Sequence, residues 1–144
     1  MSDCCTFHPS GHMHRECPQC GTQCKAVTLK TLWHNLRFPD YLSTPVDNYF
    51  FCPTVDCQVG YFSPTTVIAL HTLKAYPQIQ QGWLCYCFDL SQAQYRIALK
   101  SGYADNVKNF IIQQTKSGNC ACEIKNPSGQ CCLAKFKHIE SFER

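Results

Sequence analysis

Asn48-Tyr49-Phe50-Phe51-Cys52-Pro53-Thr54-Val55-Asp56-Cys57-Gln58-Val59-Gly60-Tyr61-Phe62 is the stretch on which the architecture turns. An aromatic run leads into two cysteines separated by a proline-bearing turn, and a second apolar run follows. The pattern reads as strand, cysteine turn, strand. Moving toward the N-terminus, Cys17-Pro18-Gln19-Cys20-Gly21 forms a tight C-x-x-C knuckle. In such a knuckle the backbone folds back and its N–H groups can donate to the sulfurs, and Gly21 permits a positive φ. Zinc prefers four tetrahedral ligands and often takes four thiolates in structural sites. Cys17 and Cys20 supply one pair and Cys52 and Cys57, at the wider x4 spacing, supply the other. Cys24 lies four residues past Cys20 and could replace a ligand. Four protein sulfurs leave no open position for substrate, so this zinc is expected to be structural. A small β unit built around it needs little hydrophobic core of its own.

Around these turns, Lys25 to Trp33 alternates Val27, Leu29, Thr31 and Trp33, which predicts a strand. Residues 35–48, with Pro39 and Pro45, read as a loop. Ser63-Pro64 could cap a short helix, while Val67 to Tyr76 fits either helix or strand. Pro77 to Gly82 reads as a linker, and beyond it the period changes. Ser91 is a candidate N-cap for a helix carrying Tyr95, Ala98 and Leu99 and stopping near Gly102. A second helix is expected from about Asp105, with Val107, Phe110 and Ile111 inward, ending near Gly118. A third follows Pro127-Ser128-Gly129 and carries Leu133, Phe136 and Ile139. The expected fold class is α+β: a tail over 1–15, a β-rich zinc unit over 16–76, a linker over 77–84 and a helical unit over 85–144.

Thirteen cysteines in 144 residues must pair as disulfides or bind metal. No basic and apolar leader precedes Cys4-Cys5, and an odd count fits a closed disulfide framework poorly, so a cytoplasmic, metal-binding chain is expected. A net charge of +3 with 16% charged residues is too mild for an electrostatic nucleic-acid binder. No apolar run approaches the roughly 18 residues of a membrane span. The tail brings together Cys4, Cys5, His8, His12, Met13 and His14, soft and borderline ligands that suit copper. It reads either as a site acquiring a thiophilic ion or as a plain flexible tail. Isolated His34, His71 and His138 read as surface or packing residues. The aromatics Tyr49, Phe50, Phe51, Tyr61 and Phe62 read as core, and Lys135-Phe136-Lys137-His138 as a solvated helix face.

In the back half, Cys85-Tyr86-Cys87 is separated by thirty-four residues from Cys122, and Cys131-Cys132 follows Asn126-Pro127-Ser128-Gly129. Two helices folded as an antiparallel hairpin would bring these thiol groups together at the helix ends. A cluster bound by thiolates is a net anion, which helix N-termini and loop N–H groups stabilise. Gly129 permits close backbone approach. This arrangement favours a 2Fe–2S cluster, although spacing alone leaves a second zinc open.

The C-x-C-x34-C spacing is similar to that of the ferredoxins associated with bacterioferritin. The Cys-Pro-x-Cys knuckle, Tyr49-Phe50-Phe51-Cys52 with Cys57 and Tyr61-Phe62, Cys85-Tyr86-Cys87 and Asn126-Pro127-Ser128-Gly129-x-Cys131-Cys132 together resemble the N-terminal domain of the CopZ-type copper chaperones. The resemblance covers roughly residues 15–137. It implies a mononuclear zinc held by Cys17, Cys20, Cys52 and Cys57. It also implies a 2Fe–2S cluster held by Cys85, Cys87, Cys122 and Cys132, with Cys120 or Cys131 as alternatives to the last two. The full chaperones carry a C-terminal heavy-metal-associated domain with an M-x-C-x-x-C loop. This sequence ends at Arg144, and Glu16 precedes Cys17. The implied role is therefore the redox half: single-electron transfer, with reduction of Cu(II) to Cu(I) or of another thiophilic metal ion. A metal-transport protein or a redox partner would be served. The alternatives are a ferredoxin-like electron donor to an iron-storage partner and a non-redox metal-sequestering module. No acid–base or nucleophile–base pair points to hydrolysis.

Overall fold

A computed structural model describes residues 13–143. The quoted stretch does form two antiparallel strands, and they lie at the middle of a five-stranded meander. Its members are β1 (His14–Glu16), β2 (Gln23–Val27), β3 (Tyr49–Phe51), β4 (Val59–Phe62) and β5 (Val67–Ala69), in the order β1-β2-β3-β4-β5. Successive strand residues face opposite sides, and here both sides are covered. Phe50 and Phe62, paired across β3 and β4 with ring centroids 5.5 Å apart, pack with Ala26, Val59 and the cysteines 17, 24, 52 and 57. Tyr49 and Tyr61 face the other way, into Val27, Leu32, Leu36, Leu70 and Leu73. All four β4 residues are accordingly buried.

The second face is covered by α1 (Leu29–Asn35), where the alternation of residues 25–33 predicted continuing strand. The strand ends at Val27 because Thr28 is an N-cap. Its hydroxyl accepts from the Thr31 N–H at 3.1 Å, and Leu29, Leu32 and Leu36 then recur at helical spacing. A one-turn helix α2 (Asp40–Ser43) interrupts the expected loop. Ser63 caps a turn, not a helix: its hydroxyl accepts from the N–H groups of Thr65 (3.3 Å) and Thr66 (3.0 Å), reversing the chain into β5. The stretch open to either assignment contains β5, a 3-10 turn over Leu70–Thr72 and the start of α3 (Tyr76–Gln80). Pro77 sits in the first turn of α3, where its missing N–H costs nothing, so the segment read as a linker is largely helical.

Beyond Gly82 a small ribbon, β6 (Trp83–Cys85) with β7 (Leu90–Ser91), feeds α4 (Gln92–Ser101). Ser91 and Gln94 form a reciprocal capping box, and Gly102 closes the helix at φ +83°. Next come α5 (Ala104–Lys116), α6 (Cys122–Lys125) and α7 (Leu133–Glu143). Leu84, Tyr95, Ala98, Ile111, Phe136 and Ile139 make the core of this part, with Tyr95 and Phe136 edge to face at 4.7 Å. Phe110, expected inward, is 54% exposed and packs edge-on against Phe88 instead. Of the residues expected to form a tail, His14 and Arg15 open strand β1. Cys4, Cys5, His8 and His12 lie outside the described residues.

Candidate metal centres

Two hairpins aim the first four thiols at one point. The knuckle after β1 is closed by the Gly21 N–H to the Cys17 carbonyl and the Cys17 N–H to the Thr22 carbonyl, both 2.9 Å, with Gly21 at φ +75°. The β3–β4 turn is closed by Cys52 N–H to Gly60 O (3.0 Å) and Cys57 N–H to Thr54 O (3.2 Å). The Sγ atoms of Cys17 and Cys57 come within 3.7 Å, those of Cys20 and Cys52 within 3.6 Å, and all four lie within 4.8 Å of one another. A tetrahedron of sulfurs about 2.3 Å from zinc has edges of about 3.8 Å, so the donor set fits one zinc ion by type, number and spacing. Cys17, Cys52 and Cys57 are buried and Cys20 is exposed.

The environment of these thiols is uneven. Hydroxyls of Thr22 (3.3 Å) and Thr54 (3.4 Å) lie against Cys20 Sγ and hold its pKa down at about 5. Burial pushes the thiols of Cys52 and Cys57 up to about 12. Four thiolates this close repel one another, and a divalent cation at their centre removes that conflict. Thr22 and Thr54, themselves 2.9 Å apart, were not singled out from the sequence. The available signal was that each stands two residues beyond a site cysteine. Cys24 is buried on β2, outside the group of four, with its Sγ donating to the Thr22 carbonyl at 3.2 Å.

The second thiol set is assembled by the helical part. Cys85 ends β6, Cys87 sits in the β6–β7 turn, Cys122 opens α6 and Cys132 directly precedes α7. Helices α4 and α5 pack as a hairpin between them in sequence and bring the two ends together. Cys87 Sγ lies 3.5 Å from Cys122 Sγ and accepts from the Ala121 N–H at 3.1 Å. The thiols of Cys122 and Cys85 neighbour that of Cys132. Contacts from Cys132 and Cys87 hold the Cys85 pKa down at about 3. The neighbouring thiols push those of Cys87 and Cys132 up, Cys122 being the largest influence on each. Cys85, Cys122 and Cys132 are buried and Cys87 is half-buried. Unlike the first set, these sulfurs do not all fall within 4.8 Å of one another. Cys120 and the half-buried Cys131 pack at one edge, against Cys122, Cys87 and Phe88.

None of the three isolated histidines joins either set. His34 Nδ1 lies 2.9 Å from the Lys30 carbonyl, His138 packs edge-on against Phe142, and His71 is exposed. Among the described residues, no helix is long and apolar enough to cross a membrane.

Comparison with known proteins bears on the same regions. Residues 14–74, spanning the first thiol set, match a family model described as a zinc binding domain. The copper chaperone CopZ of Archaeoglobus fulgidus is 27% identical over 122 residues, which are 81% of this chain and 57% of that protein. This chain thus corresponds to little more than half the length of that relative. The X-ray structure of the N-terminal domain of Archaeoglobus fulgidus CopZ has the same fold. It superposes with a TM-score of 0.70 at 23% identity, covering 88% of this chain and 98% of that one. Residues 14–74 are thus similar to a zinc binding domain, in a chain that over 81% of its length is similar to a copper chaperone.

Proposed function

We propose that the protein is a cytoplasmic redox component of metal homeostasis, holding zinc on Cys17, Cys20, Cys52 and Cys57 and a 2Fe–2S cluster on Cys85, Cys87, Cys122 and Cys132. The observation that carries the reading is the difference between the two thiol sets. The compact first set suits a single tetrahedral ion. The second set is more spread, its four thiols neighbouring one another in turn without all lying within 4.8 Å, and suits a group larger than a single tetrahedral ion. When bound, a 2Fe–2S cluster would supply a one-electron couple, by which Cu(II) is reduced to Cu(I) at the expense of an external reductant.

The chain's own residues fit that use. The low proton affinity of Cys85 makes its thiolate available for ligation at neutral pH. The Ala121 N–H donates to Cys87 Sγ and so withdraws negative charge from that sulfur, an influence that raises a cluster's potential. Burial of Cys85, Cys122 and Cys132 keeps water from three of the four sulfurs, while half-buried Cys87 provides an exposed edge for electron entry or exit. The first set contributes no open coordination position and acts by fixing the sheet.

Iron, zinc and acid-labile sulfide analysis of anaerobically purified protein tests the assignment. We expect one zinc, two irons and two sulfides per chain, with a colour that bleaches on dithionite and returns on addition of Cu(II). A colourless protein holding two zinc ions would overturn the redox reading and leave a metal-binding module. Rapid re-oxidation by a ferric storage protein, with none by Cu(II), would move the role to the ferredoxin-like alternative.

A further inference from the structure

The segment that carries Cys122 and leads to Cys132 is held from outside by the zinc unit. Helix α6 is only one turn long, so its carbonyls lack the partners that a longer helix supplies from within. Thr31 on α1, 1% exposed, donates its hydroxyl to the Glu123 carbonyl at 2.6 Å. Asn35, one turn later and 2% exposed, donates from Nδ2 to the Ile124 carbonyl at 3.2 Å and to the Thr31 carbonyl at 2.8 Å. Tyr61 on β4, fully buried, donates its hydroxyl to the Pro127 carbonyl. Gly129, at φ +69°, packs so closely that a Cβ there would come within 2.9 Å of Thr31 Oγ1. Four consecutive points on residues 123–129 are thereby fixed by side chains of the other unit.

Those side chains stand on elements of the unit that carries the first thiol cluster, on the face of its sheet opposite the sulfurs. Thr28 leaves β2 directly into α1, and its hydroxyl lies 3.1 Å from that of Thr31. Tyr61 stands four residues beyond Cys57 on the strand that begins at Val59. We infer that Thr31, Asn35 and Tyr61 are positioning residues for the second metal centre: they make the placement of Cys122 and Cys132, and hence the properties of the group those thiols hold, depend on the zinc unit. This rests on the proposed role of Cys122 and Cys132 as ligands. The polar character of the contact is what makes it directive. A hydrogen bond to a buried carbonyl fixes position within a few tenths of an ångström, and leaving that carbonyl unpartnered costs the full desolvation of the group.

The test compares Thr31→Val and Tyr61→Phe with the wild type and with Thr31→Ser, which keeps the hydroxyl. Zinc content and far-ultraviolet circular dichroism establish that each variant is folded with its first site filled. Tyr61→Phe is close to isosteric and keeps the comparison decisive if Thr31→Val fails that check. The readouts are visible circular dichroism and paramagnetic g values of the reduced cluster, its midpoint potential, and the rate of iron release to a chelator. We expect iron release about tenfold faster in Thr31→Val and Tyr61→Phe, with altered cluster spectra, one zinc retained, and recovery toward wild type in Thr31→Ser. Unchanged spectra and release rates in folded variants would overturn the inference. If the second set proves to hold zinc, the redox proposal falls, and the same variants are read on extraction of that second zinc. About tenfold faster extraction supports the brace, and equal rates refute it.

Discussion

Cys20 is the exposed member of an otherwise buried quartet, and its neighbours compensate for that exposure. The Thr22 and Thr54 hydroxyls keep its thiolate form favoured down to about pH 5. Because the folded-state pKa of this thiol is lowered, protons compete for this sulfur only at lower pH than for an ordinary thiol. Replacing both threonines by valine moves the pKa back up, so zinc release on acidification, followed with a chelating dye, should begin at higher pH than in the wild type. Cys52→Ser is expected to act more bluntly. It removes one of four ligands, and the zinc-to-protein ratio at this site should fall toward zero, with loss of the cooperative melt of residues 14–74. The cysteine pairs were readable in the sequence because ligand spacing is local. The threonines were not, since their role depends on two turns meeting in space.

Among the elements, α4 and α1 show where sequence signals succeed and fail. Helix α4 starts and stops on residues whose effects are local, the Ser91–Gln94 box and Gly102, and both were legible. Helix α1 also begins on a local cap, Thr28, but alternation at Val27, Leu29, Thr31 and Trp33 matched strand spacing. The choice was made by packing of Leu32 and Leu36 beneath the sheet. Pro77 marked a break, yet proline tolerates a first helical turn as well as a linker. The expected magnitudes follow the same division. Ser91→Ala should cost about 1 kcal/mol by loss of the cap. Phe136→Ala, at a fully buried ring packed edge to face with Tyr95, should cost about 3–5 kcal/mol. In neither case should zinc content change, as chemical denaturation with parallel metal analysis would show.

For the whole molecule, the α+β order and the location of both thiol sets were visible in the chain. The contact between the units was not, because nothing in the spacing of Thr31, Asn35 or Tyr61 announces a carbonyl about ninety or sixty residues away. A cleft of about 310 Å³, lined by Thr54 and Cys52 from one unit and Tyr86, Asn126 and Lys135 from the other, runs beside that contact. A fragment spanning residues 13–75 retains all four thiols of the first set, and it should still bind one zinc. It should melt at a lower temperature than the same unit in the full chain, which differential scanning calorimetry of the two zinc-loaded forms would record. The other edge of the molecule has a different consequence. Strand β1 is three residues long, and His14, Arg15 and Glu16 are all exposed. An outer strand so short and so rich in ionisable side chains is a poor template for another chain's backbone. Among the described residues, this edge of the sheet is thereby guarded against edge-to-edge polymerisation.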